Sequence, residues 1–375
     1  MRYSAMAALT AVLLAGGVCS AADDSCEVTC DQVLGESGCS PDSLFSGSGE
    51  KSPWSFSLTQ TVDYGTSLAL PIGLTPANTL IGPLAGGGPI GILGDTLANP
   101  LGLLDNLGIL PGAIPDVPIR GVFQDDFQFQ TRGTVGYQKQ VSDKGIFSAG
   151  YTYYQSLHPE LYQLDLYQHA ITTQYAYSIS DEWTAAVNYE FDYYFLQTDS
   201  FVVQNQTGVS LGYRPSQDWY FEGNLRYGFY DFFQSSFLTS NNLSGTIKAT
   251  RFLGQNRQSY VNAGYTMAGS DAELSGFSYF ANSAFLGGRW AIDTEAKYKI
   301  DSTVTYANYS FDGPDPIQTD VFRVDNLCTW NITLLHQLSE RWVLFGGFTL
   351  LGSSSNVGRQ QYTSTLVSIG ATYAR

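Results

Sequence analysis

A two-residue rhythm of apolar and polar side chains runs through most of this chain. In "DEWTAAVNYEFDYYF", Trp183, Ala185, Val187, Tyr189, Phe191, Tyr193 and Phe195 hold the odd positions, and Thr184, Asn188, Glu190 and Asp192 fall between them. Successive side chains of an extended strand point to opposite faces, so the stretch reads as a strand with one apolar and one wet side. "WSFSLTQTVDY" puts Trp54, Phe56, Leu58, Val62 and Tyr64 on one side. "DFQFQTRGTVGYQ" sets Phe127, Phe129, Val135 and Tyr137 against Gln128, Gln130 and Arg132. "WYFEGNLRYGFYDFF" sets Trp219, Phe221, Leu225, Tyr227 and Phe229 against Glu222, Asn224 and Arg226. Repeating this reading predicts fourteen strands, starting near residues 54, 125, 146, 166, 183, 201, 219, 242, 259, 278, 297, 321, 341 and 363. No convincing amphipathic helix interrupts them.

The connections alternate as well. "QVSDKG", "SISDE", "RPSQD", "GQNRQ" and "LSER" are short polar turns, whereas "QSLHPELYQLD", "QSSFLTSN", "DGPDPIQTD" and "SSSNVGRQQY" are longer. Short turns at one end and longer links at the other are the habit of transmembrane barrels. Tryptophan points the same way. Trp54, Trp183, Trp219 and Trp342 start strands rising from the short-turn end, and Trp290 ends a descending one at the same level, the pattern of an aromatic girdle. A soluble β-sandwich also alternates, but its strands need neither this length nor this tryptophan registry. The expected fold is therefore all-β: a transmembrane antiparallel up-and-down barrel of about fourteen strands. Closure satisfies every backbone polar group without water, which a bilayer demands.

Three segments lie outside this pattern. Residues 1–21 carry one Arg, an apolar run and then small residues, the organisation of a signal peptide. Residues 22–50 form an acidic tail with Cys26, Cys30 and Cys39, disulfide candidates in an exported chain. Residues 51–375 are the barrel, and residues 65–120 within it are an apolar insertion. Between Leu68 and Gly94 that insertion has no charge, and Pro71, Pro76, Pro83 and Pro89 exclude a spanning helix. Three placements are open: in the lumen as a plug or constriction, against a neighbouring subunit, or at the outer leaflet.

The net charge of −16 argues against nucleic acid as a partner. Catalysis finds little purchase. His158, His169 and His336 are the only histidines, no His-x-Ser spacing occurs, and "AGGGP" lacks the lysine of a phosphate loop. No catalytic residue, metal site or cofactor is expected. The wet face is more informative: Arg132, Glu190, Asp192, Glu222, Arg226, Lys248, Arg289, Arg323 and Asp325 all fall on its phase and are the candidate pore-lining residues.

With these features in place, the chain resembles Gram-negative outer-membrane β-barrel proteins. Through "YSISDEWTAAVNYEF", "YRPSQDWYFEGNLRY" and the closing "SSSNVGRQQYTSTLVSIGATY" it loosely resembles the barrel domain of surface-lipoprotein assembly modifier type proteins, without their tetratricopeptide part. Such barrels usually end on an aromatic residue. Tyr373 has the matching phase, followed here by Ala374 and Arg375. The expected function is a porin-like channel for small hydrophilic solutes, its lumen narrowed by residues 65–120. The alternative is a non-conducting barrel for export, anchoring or assembly with a periplasmic partner. Lipid surrounds either, and a homo-oligomer is compatible with both.

Overall fold

The structure is a computed structural model that describes residues 53–68, 124–159, 165–233, 236–254, 258–293, 296–314, 320–339, 341–356 and 362–374. Fourteen strands close into one antiparallel barrel, each paired with its neighbours in sequence and β1 with β14. They are β1 (Trp54–Leu68), β2 (Gln124–Ser142), β3 (Gly145–Leu157), β4 (Leu166–Ser178), β5 (Trp183–Leu196), β6 (Asp199–Tyr213) and β7 (Trp219–Phe232). The series continues with β8 (Ser240–Leu253), β9 (Ser259–Ala272), β10 (Tyr279–Ala291), β11 (Tyr298–Pro314), β12 (Phe322–Gln337), β13 (Trp342–Ser355) and β14 (Tyr362–Ala374). Every strand starts within two residues of its sequence-derived position, because the alternation that defines a two-sided strand stops where the turn residues begin. One boundary differs from expectation. The strand β1 continues through Gly65 to Leu68, past the predicted start of the insertion, with a register shift against β2 after Gly65.

Register fixes which side chains face in. Directly paired residues share a face, so the ladder Asp63–Gln128, Arg132–Tyr154, Gln168–Tyr194, Asp192–Gln204 and Gln204–Tyr230 carries one inward surface around seven strands. The outward set is apolar: Phe129, Val187, Val209, Leu225, Ile247, Leu286, Val367 and Ile369 are all exposed. A soluble barrel would bury that set and expose the other. This one is inverted, as a barrel in lipid must be.

The buried apolar residues are not spread evenly. Tyr154, Leu166, Tyr194, Val202, Tyr230, Phe232, Leu238, Tyr279, Tyr309, Leu327, Leu351 and Leu366 form one inward cluster. Each lies toward the end bearing the longer links. Two single-turn 3₁₀ segments, Ser236–Leu238 and Ser275–Phe277, contribute to it, and the Phe237 and Phe277 rings meet at 5.4 Å. The inside therefore carries an apolar collar toward the long-link end, interleaved with polar groups such as Gln168, Gln204, Arg323 and Asp325, and is polar below it.

Candidate functional site: the barrel lumen

The polar layer is carried mainly by the arc from β1 to β8. All nine candidate pore-lining residues point inward, but they form separate small groups rather than one ring. On β7 and β8, Lys248 Nζ lies 3.0 Å from Glu222 Oε2, a directly paired position in the ladder. Arg226 Nη1 on β7 reaches across β6 to within 3.9 Å of Glu190 Oε2 on β5. Asp192 accepts a hydrogen bond from Gln168 Nε2 at 2.8 Å, and the same amide nitrogen donates to the Tyr194 hydroxyl at 2.9 Å. Arg132 stands 5.5 Å over the Tyr154 ring, where the π-face offers the guanidinium an attraction.

The remaining three candidates sit at the two ends. Toward the short turns, Arg289 grips Asp301 through two parallel bonds of 2.6 Å, Nε to Oδ1 and Nη2 to Oδ2. Toward the long links, Arg323 Nε donates to Asp325 Oδ2 at 2.6 Å, and its guanidinium lies 4.4 Å over the Phe311 ring. Because Arg323 and Asp325 are two apart on one strand, alternation alone puts them on one face. Most of these charges are well covered: Asp192 is 1% exposed, Arg323 3% and Lys248 8%.

Sequence reasoning left out several inward groups. Asp63 on β1 accepts from the Gln130 amide and is fully buried. Asp301 completes the Arg289 fork. Gln128, Gln130, Gln168, Gln204 and Gln206 give β2, β4 and β6 an amide-lined inner face, and Gln128 Nε2 donates to Ser156 Oγ at 2.5 Å. The phase of each was legible beside the charged candidates, but uncharged amides give no separate signal in an alternating strand. Both amide atoms of Gln204, the Tyr154 hydroxyl and Arg132 Nε are buried with no protein hydrogen-bond partner among the described residues. The arc from β9 to β14 is different at mid-depth: Thr266, Ser283, Thr303, Thr305, Thr329, Asn331, Thr349 and Ser368 face inward there. A charged, amide-rich wall thus faces a neutral hydroxyl wall.

The tryptophans stand outside. Trp54, Trp183, Trp219 and Trp342 are the first residues of β1, β5, β7 and β13, and Trp290 is next to last in β10. Trp183 stacks on Tyr213 at 4.4 Å, and Trp342 packs on Tyr373 at 5.2 Å. The histidines are scattered. His158 is buried beside Asp165, with Nδ1 and Oδ1 3.7 Å apart; His169 meets the Tyr151 hydroxyl at 2.7 Å on the outer face; His336 stacks on Tyr298. Among the described residues no group of three or more His, Cys, Asp or Glu is placed to hold a metal. Cys328 is a free thiol on the outer face, while Cys26, Cys30, Cys39 and most of the 65–120 insertion lie outside the described residues.

No family profile matches the chain, and no curated protein does. Among solved structures, the chain is similar to the outer membrane channel DcaP of Acinetobacter baumannii, at 9% identity and a TM-score of 0.48, over 86% of this chain and 96% of that one. It is also similar to an anion-selective porin from Comamonas acidovorans, at 10% identity and 0.44, over 86% and 98%. The translocator domain of autotransporter NalP from Neisseria meningitidis matches at 11% identity and 0.33, over 87% and 90%. No functional conclusion rests on likenesses this distant. The narrower resemblance to surface-lipoprotein assembly modifier barrels gains no support from them.

Proposed function

We propose that this chain is an outer-membrane channel through which small hydrophilic solutes pass passively along the lumen. The observation that carries the reading is the inverted barrel: an apolar outside, closed strand pairing, and an inside whose middle is lined by amides, hydroxyls and charges of both signs. Paired charges of both signs favour neutral or zwitterionic polar solutes over strongly charged ones. The reading includes narrowing of the lumen by the 65–120 insertion, whose apolar sequence needs a surface to cover. No chemical step belongs to it. Purified chain in lipid vesicles should release entrapped small polar solutes with a sharp size cut-off, measured by efflux of a graded saccharide series. Retention of every member by vesicles containing correctly inserted barrel would overturn the proposal.

A second reading rests on a different observation. The apolar collar and the near-complete burial of the inward charges favour a filled, non-conducting barrel serving export, anchoring or assembly with a periplasmic partner. It predicts no efflux and capture of a soluble partner at the short-turn end, where β1 and β14 bring both ends of the barrel segment.

A further inference from the structure

The outer surface carries one motif five times. On β5, Tyr189 donates its hydroxyl to Asn205 Oδ1 on β6 at 2.9 Å. On β7 and β8, Tyr227 does the same to Asn241 at 2.6 Å; on β9 and β10, Tyr265 to Asn282 at 2.6 Å; on β11 and β12, Tyr306 to Asn326 at 2.7 Å. On β3 and β4 the Tyr151 hydroxyl meets His169 Nδ1 at 2.7 Å. The geometry is identical each time. The acceptor residue is paired not with the tyrosine but with the residue two beyond it: Phe191 with Asn205, Phe229 with Asn241, Met267 with Asn282, Asn308 with Asn326 and Tyr153 with His169. The result is a belt over ten consecutive strands, exposed at every tyrosine.

Its depth varies more than its register: Asn241 stands ten residues before Arg251, the partner of Trp219, and Asn326 ten before His336, while the other three acceptors stand eight from the rim. Asn205 stands eight residues before Tyr213, Asn282 eight before Trp290 and His169 eight before Tyr177, all of them rings near the short-turn end. Eight residues at about 3.3 Å each, in strands tilted by about 40°, rise roughly 20 Å along the barrel. That approaches the roughly 25 Å height of the apolar band of such barrels. Between the two levels the outward residues are largely aliphatic, such as Val209, Leu211, Ile247 and Leu286.

We infer that these pairs mark and hold the polar boundary of the lipid leaflet on the long-link side, binding headgroup oxygens. This rests on the membrane reading above. Each asparagine accepts the tyrosine hydroxyl through Oδ1, which leaves its Nδ2 hydrogens as donors for which the described residues offer no acceptor. A row of amide donors within a narrow range of depth, backed by tyrosines that fix the amide orientation, fits phosphate and ester oxygens. In the hydrocarbon region the same donors would be costly. The occupant is therefore the lipid headgroup layer rather than the acyl chains.

The test uses nitroxide labels in phosphatidylcholine vesicles, on the full chain with its native cysteines replaced by serine. Labels at Val203 and Val209 flank Asn205 on the outer face of β6, one on either side of the belt. Collision with oxygen should dominate at Val209 and collision with a water-soluble nickel chelate at Val203. In the N205L/N241L/N282L/N326L variant, the Val203 label should shift toward oxygen as the apolar band extends past it. An unchanged Val203 label in that variant overturns the belt inference while leaving the membrane reading intact. Water accessibility at both positions overturns both. Exclusion of both reagents from Val203, with spin–spin broadening, would show a second protein copy covering the belt and also overturn the inference.

Discussion

Arginine placed at Ile247 tests the assignment of inside and outside at one residue. Ile247 is 66% exposed on the outer face of β8, six residues after the outward Asn241 and four before the outward Arg251, so it stands well inside the apolar band. An arginine on the lipid side costs about 2–4 kcal/mol at the bilayer midplane and about 0–1 kcal/mol near the interface. The strand already supplies the interfacial case: Arg251, also outward, lies with its guanidinium 5.6 Å from the Trp219 ring near the short-turn rim. Ile247→Arg should therefore shift the unfolding equilibrium by roughly 30- to 700-fold, at about 1.4 kcal/mol per tenfold. Leu253→Arg, at the rim end of the same strand, should stay within about 1 kcal/mol of wild type. Reversible guanidinium unfolding of the vesicle-inserted protein measures both. Equal effects at the two positions, or an Ile247→Arg cost below about 1 kcal/mol, would refute the lipid-facing assignment.

Three further outcomes follow from the geometry. Arg226→Gln should move the reversal potential in a salt gradient toward cation preference, and Glu190→Gln toward anion preference, since each removes one sign from the same 3.9 Å pair. On the inner face, a Cβ at Gly264 would run into the Phe285 ring and come within 2.8 Å of the Ile247 carbonyl oxygen, whereas one at Gly133, on the outer face, meets nothing within 4 Å. Gly264→Ala should cost about 1–3 kcal/mol and Gly133→Ala about 0.5 kcal/mol or less in the same unfolding assay. In the turn between β10 and β11, the Tyr298 and Lys297 amides donate to Asp293 at 2.9 and 3.2 Å and hold its carboxylate below the ordinary 3.8. A depressed carboxylate stabilises the turn above its unfolded value and loses that contribution as pH falls through the folded one. Hydrogen exchange at the Tyr298 amide should therefore be protected at neutral pH and speed up relative to its intrinsic rate only in strong acid, a dependence absent in Asp293→Asn.

The fold was legible because lipid and lumen impose opposite demands on neighbouring residues. In "DEWTAAVNYEF" the alternation from Trp183 to Phe191 gave strand type, extent and face together, and short turns such as "SISDE" gave the end at which hairpins close tightly. The candidate site was legible only as a phase. That Glu190 and Arg226 point inward follows from parity. That they meet each other depends on a diagonal reach across β6, which one-dimensional spacing does not encode. The Arg289–Asp301 fork was half visible, because Asp301 faces inward only once β11 is registered on β10. The outer belt escaped for the same reason: Tyr189 and Asn205 are sixteen residues apart and become neighbours through strand pairing alone.

Whether the lumen conducts is answered most directly by planar-bilayer recording of the purified, folded chain, with insertion verified by the heat-dependent gel mobility of the barrel. The channel account predicts discrete, reproducible conductance steps whose ion preference follows the Arg226 and Glu190 substitutions. Silence from verifiably inserted protein would contradict it and leave the filled, non-conducting barrel standing.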